Sequence, residues 1–430
     1  MKKMLIGFLV LLSIVSQGQT KSGKKSLPLS EGTPESVGMS NERLSRIDSM
    51  ITRSISNGEI PGAVALVARN GKIVYYKAFG KADNSSGRLQ KQDDIFRIAS
   101  QSKAITATAV MMLWEQGKFR LDDPVSLYIP EFKNPRVLKS FRYSDTSYVT
   151  VPASQEITIR QLLTHTSGIG YGIIDADERF KMIYAKAGVT DLFTTDPVTI
   201  GESVKKLARL PLHFNPGEDY YYSEGLDVLG YFIEVISGMP FDVYLRKHLF
   251  EPLGMNDTWF YLPGDKSKRL VPVQWKEKGE WHHYPVTFYD PDYPVKGSGT
   301  FFSGGAGLSS TARDYATFLQ MYLNGGELNG IRILSRTTVK TIMQNQTGAL
   351  WEDNAGRSYG LVFGLQSQDG VTKGGYLSKG TFEWGGYFNT TYFADPEEKV
   401  IGVLMKQTQG SNGDTSSWKF QLLVGQAIDD

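Results

Sequence analysis

Ser100-Gln101-Ser102-Lys103 sets a hydroxyl and an amine three residues apart, at the head of an apolar run. If that run is helical, both groups share one face about a turn apart. The chemistry this allows is acyl transfer, with the serine attacking a carbonyl and the lysine taking its proton. Burial in apolar surroundings would disfavour the ammonium and let the amine act as that base. The Ser100 amide would lie at the helix N-terminus, where free N–H groups and the dipole favour an oxyanion. The plain alternative is a polar helix start with a solvated lysine. Ser102 is the rival nucleophile, but it lacks a lysine at the right offset. Two further stretches could serve the same chemistry. Tyr220-Tyr221-Tyr222 offers phenols, which are poor bases unless a cation such as Lys103 lies beside them. Any one of them could equally be a packed core tyrosine. Trp384-Gly385-Gly386-Tyr387 puts paired glycines inside a strand pattern, which marks close approach of backbone or ligand.

Positioning these groups takes helices and strands from both ends of the chain. Ser40 reads as an N-cap, with Leu44, Ile47, Met50, Ile51 and Ile55 at helical spacing and a stop at Asn57-Gly58. Ala63 to Ala68 and Lys72 to Tyr76 read as a hairpin around Asn70-Gly71. From Ser100 to Gly117 the pattern is helical and nearly all apolar, which predicts a buried helix. Asp227 to Ile236 reads as a helix closed by Gly238, and Ala312 to Asn324 as another ended by Gly325-Gly326. Phe382 to Phe393 and Val400 to Lys406 read as paired strands around Asp395-Pro396-Glu397, and Trp418 to Ala427 as a closing helix. Residues 259–293 are rich in Trp, Tyr and Pro, and read either as an aromatic substrate wall or as a loop packed by its own side chains. The expected architecture is a two-domain α/β (α+β) fold with no internal repeat. Residues 33–118 and 299–430 would form one discontinuous α/β domain, and residues 119–298 a mostly helical insert.

Length and composition agree with a globular protein: 430 residues, 40% hydrophobic and 21% charged. Lys2 and Lys3, the apolar run Met4 to Val15 and the small residues at Ser16 and Gly18 read as a signal peptide over residues 1–18. That run is too short to span a bilayer, so the mature chain is expected to carry no membrane span and to be exported, periplasmic or secreted. Residues 19–32 read as a linker. There is no Cys, which excludes disulfides, thiol nucleophiles and thiolate metal sites. Removing residues 1–18 takes away two lysines and no acid, leaving a neutral chain with no basic run for nucleic acid to grip. His165, His213, His248, His282 and His283 show no H-E-x-x-H spacing, so neither a metal nor a cofactor is expected. No serine carries the flanking glycines of a nucleophile elbow.

Taken in order, the motifs resemble the serine β-lactamase-like superfamily, the penicillin-recognising hydrolases. The supporting stretches are Arg97 to Lys103, Leu163 to Gly168, Tyr222-Ser223, Gly304 to Asp314, Trp384 to Tyr387 and Phe393 to Pro396. The resemblance covers about residues 33–428. It implies an antiparallel sheet flanked by helices, with Ser100 as acylated nucleophile and Lys103 as proton acceptor. It further implies Tyr222 as proton shuttle and the Ser100 and Tyr387 amides as the oxyanion hole. Glu224, Trp384, Gly385 and Gly386 would contact substrate, and His165 matches as a structural residue. Two positions depart from the lactamases and D,D-peptidases. Glu224 stands where they usually carry an Asn that donates to the substrate amide, and an ionised carboxylate donates nothing. Trp384 stands where they usually carry a Lys that meets the substrate carboxylate, although Lys373 or Lys379 could reach in. Both changes suit a small neutral ester, and Trp-Gly-Gly resembles the esterase branch. The expected activity is a carboxylesterase working through an acyl-enzyme. A β-lactamase, D,D-peptidase or amidase is the alternative on the same fold, and a silent envelope binding protein the alternative of another class.

Overall fold

The computed structural model describes residues 25–430 apart from Asn354, Ser411 and Asn412. The signal-like segment and residues 19–24 of the expected linker lie outside the described residues.

One sheet organises the chain. Its strands are β1 (Ser30–Glu31), β2 (Gly62–Arg69), β3 (Lys72–Asp83), β4 (Arg88–Leu89), β6 (Arg357–Tyr359), β7 (Gly364–Gln366), β8 (Phe382–Gly385), β9 (Thr391–Asp395) and β10 (Val400–Met405). A separate short strand, β5 (Phe96–Arg97), pairs with Ser309–Ser310. The order across the sheet is β1-β3-β2-β10-β9-β8-β7-β6, with β4 on β3. Strands from both ends of the chain meet where β10 pairs β2, Val400 opposite Arg69. All pairings are antiparallel except β1, which runs parallel to β3 through Ser30–Lys72 and Glu31–Ile73. Residues 30–31, read from sequence as linker, therefore extend the sheet edge.

The central strands β2 and β10 are buried along their whole length, because helices cover both faces. Alternation sorts their side chains. Ala63, Ala65 and Val67 face helices α1 (Arg46–Ser56) and α5 (Ser416–Gln426), meeting Ile47, Ile51, Phe420 and Val424. Val64, Leu66 and Ala68 face helices α2 (Ser102–Glu115) and α4 (Ala312–Leu323), meeting Ile105, Val110, Tyr315 and Phe318. Helix α2 is buried from Ser102 to Leu113, as its uniform apolarity requires. Its small residues let α3 (Gly225–Ser237) pack alongside, and Gly238 at φ 70° closes α3.

Two expectations change. The stretch 382–393 is not one strand: it breaks after Gly385 into the turn Gly386–Asn389, with Asn389 at φ 67°, and returns as β9. The middle of the chain is not helices and loops alone. It carries two hairpins, Arg136–Arg142 with Ser147–Pro152 and Gln274–Glu277 with Glu280–His283. The aromatic segment 259–293 packs partly on itself and partly on other elements: Tyr284 stacks on Tyr289, while Tyr289 and Tyr293 bury against Phe193 and Phe388. Fully buried Arg97 ties this segment to β5, donating to the carbonyls of Val271 (2.7 Å) and Pro291 (2.5 Å).

Candidate active site

Ser100 follows an abrupt turn. Ala99 sits in the left-handed region at φ 43°, a conformation that costs a residue with a Cβ about 1–2 kcal/mol and recurs at functional sites. The turn leads from buried β5 into a 3-10 turn, Ala99–Gln101, and then α2. Ser100 is left partly exposed at the helix head. Ser102, the rival, points inward and accepts from the Leu308 amide at 3.1 Å.

Lys103 is 1% exposed, one turn further on. Its Nζ lies 3.3 Å from Ser100 Oγ, 3.0 Å from Tyr171 Oη and 2.8 Å from the Gly305 carbonyl oxygen. The Gly305 carbonyl is itself held in place. Asp227 on α3 accepts from the Gly305 amide (3.0 Å) and from Ser303 Oγ (2.6 Å). Burial raises the Asp227 carboxyl above the ordinary range, while those two donors and the nearby Lys103 charge work against the rise. Tyr171, 2% exposed, keeps its phenol proton because burial pushes its pKa well above the ordinary tyrosine value. Sequence reasoning passed over Tyr171. The signal was an aromatic flanked by Gly170 and Gly172, directly after the Leu163–Gly168 stretch.

Tyr222 is the one of the three tyrosines that reaches Ser100's surroundings. Its ring centroid lies 4.6 Å from Lys103 Nζ, and its hydroxyl accepts from Trp384 Nε1 at 3.4 Å. His165 backs the ring at 4.5 Å, and its Nδ1 lies 3.2 Å from the donating Ser223 amide. Burial, with the Lys103 charge, holds His165 well below its ordinary pKa, so it is a neutral packing residue.

A cleft of about 550 Å³ opens over Ser100. Tyr222, Trp384, Gly385, Gly386 and Tyr387 line it. The turn after β8 brings Gly386 against the Ile98 carbonyl, where a Cβ would sit 2.5 Å away. Among the described residues the chain offers no backbone acceptor to the Tyr387 amide. Glu224 is a correction. It does not line the cleft but is 2% exposed, and its carboxyl accepts from the Gly172 amide at 3.1 Å. Burial, reinforced by Asp191 and Asp227, pushes its pKa well above the carboxylate range. Neither Lys373 nor Lys379 lines the cleft, and Lys373 pairs with Asp369 at 2.6 Å. Among the described residues that line the cleft, Arg357 is the one cation; the sequence reading did not single it out, and it is engaged by Asp353 and Glu383.

This arrangement can pass a serine proton to a fixed amine beside a phenol, in an open cleft with paired charge. Comparison with known proteins agrees. The Beta-lactamase family model matches residues 47–426. "Esterase EstB" of Burkholderia gladioli is 31% identical over 387 residues, 86% of this chain and 92% of that protein. A "Putative D-alanyl-D-alanine carboxypeptidase" of Escherichia coli K12 is 26% identical over 415 residues, 92% of this chain and 89% of that protein. The solved structure of "EstCE1, a hydrolase with promiscuous acyltransferase activity" superposes with a TM-score of 0.75 at 25% identity, covering 90% of this chain and 99% of that one. A sheet of this topology, the Ser100–Lys103 pair at the head of its buried helix and these similarities lead to one conclusion: the chain belongs to the Beta-lactamase family.

Proposed function

We propose that this hydrolase is a carboxylesterase acting on neutral esters. Ser100 Oγ attacks the ester carbonyl, and Lys103, acting as the neutral amine, takes the serine proton on Nζ as the tetrahedral adduct forms. The Ser100 and Tyr387 amides hold the oxyanion. Collapse expels the alcohol, which is protonated through Tyr222, and water reverses the sequence to release the acid. The observation that carries the ester reading is the charge at the cleft. Trp384 stands beside Tyr222, and the guanidinium of Arg357 is already matched by Asp353 and Glu383. A substrate carboxylate would find no open cation there. The similarity to EstB and EstCE1 points the same way.

The second reading is a D,D-peptidase or β-lactamase, favoured by the likeness to the Escherichia coli protein. Side-by-side turnover of a short p-nitrophenyl ester and a chromogenic cephalosporin separates the two. We expect the ester to be hydrolysed with little cephalosporin opening, and Ser100→Ala to lower kcat by at least about 10³-fold. Faster cephalosporin opening would favour the second reading. Activity surviving Ser100→Ala would remove Ser100 as nucleophile.

Residues 1–18 are proposed to direct export to the periplasm or the medium. N-terminal sequencing of the exported protein is expected to begin at residue 19, and an intact Met1 would refute the assignment.

A further inference from the structure

The Ser100 cleft is larger than a short ester needs, and its extension has a composition of its own. Along β8, Glu383 and Gly385 lie on the face that looks toward α5, about 7 Å apart by strand rise. Gly385 carries no side chain to close the passage. A Cβ there would meet nothing nearer than 3.3 Å, so the groove runs on from Ser100 across it. Beyond it stand Arg357, Glu383, Ser417, Trp418 and Gln421.

This arm is built rather than incidental. Gln421 Nε2 donates to Glu383 at 2.8 Å, and Glu383 also holds Arg357. The first turn of α5 is pinned from below by buried Lys406, which donates to Ser416 and Ser417 and pairs with Asp414. On that rigid turn Trp418 is 45% exposed, with Tyr376, also exposed, stacked at 6.2 Å. Two carboxylates against one guanidinium make the arm hostile to anions. A purely apolar group would cover Glu383, Arg357 and Gln421 without replacing their water, which is costly. The chemistry that fits is a neutral ring with C–H faces for the indole and hydroxyl edges for the carboxylate and amide.

Resting on the esterase reading, we propose that this arm binds a glycosyl group, so that the substrates are acylated neutral glycosides. The test compares methyl 6-O-acetyl-glucopyranoside with cyclohexylmethyl acetate, a ring of the same size without hydroxyls, on the parent protein, Trp418→Ala and Gln421→Ala. The parent is expected to prefer the glycoside in kcat/KM by at least about tenfold. Each substitution should erase most of that preference, mainly through KM. Equal or better turnover of the cyclohexyl ester, or a preference that survives both substitutions, overturns the arm assignment. Ser100-dependent turnover of p-nitrophenyl acetate run alongside would then leave the esterase reading standing. If no ester is hydrolysed, the esterase reading falls by itself. Quenching of tryptophan fluorescence by methyl glucopyranoside, lost in Trp418→Ala, would still uphold the arm, and its absence would refute it.

Discussion

Lys103 is useful only where its amine is aimed, and three groups aim it. Of these the Gly305 carbonyl depends on a residue that never reaches the cleft, Asp227. Asp227→Ala frees Gly305 and Ser303 together, and a displacement of about 1 Å at a reacting group can cost ~10²-fold. We expect kcat for the p-nitrophenyl ester to fall by about that factor with KM little changed, and steady-state kinetics decide it. A second buried carboxyl works on stability. Burial raises Asp314 from 3.8 to about 6, against the pull of the Asp257 amide and the Thr258 hydroxyl. Between about pH 4 and 6 the folded chain keeps a proton there that the unfolded chain has released. Stability therefore drops as pH rises through that window, by up to about 3 kcal/mol. Asp314→Asn keeps an acceptor and abolishes the titration. Its Tm relative to the parent should rise between pH 4 and pH 7, and a difference that stays flat refutes this.

At the scale of elements, the site is a junction between one helix head and one turn. The 3-10 turn before α2 brings Ser100, the first turn of α2 brings Lys103, and the turn after β8 brings Tyr387. They meet because Gly386 lets that turn close onto the Ile98 carbonyl, two residues before Ser100. In Gly386→Ala the new Cβ would crowd both that carbonyl and Thr390 Oγ1, so the turn must retreat. Losing one oxyanion donor typically costs ~10²–10³ in rate. We expect a loss of that order in kcat with a Tm close to the parent's. Full activity would mean that the Tyr387 amide takes no part.

For the whole molecule, the decisive feature is that the sheet is closed by both ends of the chain. Arg69, at the end of β2, ties them. It donates to the carbonyls of Val37, Gly38 and Glu398 and pairs with Glu398 and Asp430. Arg69 is buried while both acids are partly exposed, so solvent screens the pairs and the net contribution is modest. Arg69→Ala should cost about 1–3 kcal/mol, seen as a Tm lowered by several degrees, with ester kinetics unchanged. A loss of activity at unaltered Tm would contradict the assignment of Arg69 to the frame. Among the described residues no single helix is long and apolar enough to cross a membrane.

Local order settled a good deal in advance. Helix α2 follows from an unbroken apolar run, the β2–β3 hairpin from Asn70-Gly71, and the ends of α3 and α4 from their glycines, because these signals act between near neighbours. The S-x-x-K spacing likewise sets Ser100 and Lys103 one turn apart wherever the helix goes. What the sequence could not carry is which side chain meets which across the fold. Tyr171 is 68 residues from Lys103, and Gly305 is 202. Only tertiary packing brings them to one amine. Glu224 follows Tyr222 closely in the chain, yet the start of α3 turns its carboxyl inward, to a buried amide rather than to the cleft. Adjacency in sequence determines spacing along an element, while the direction each element faces is decided by what covers it.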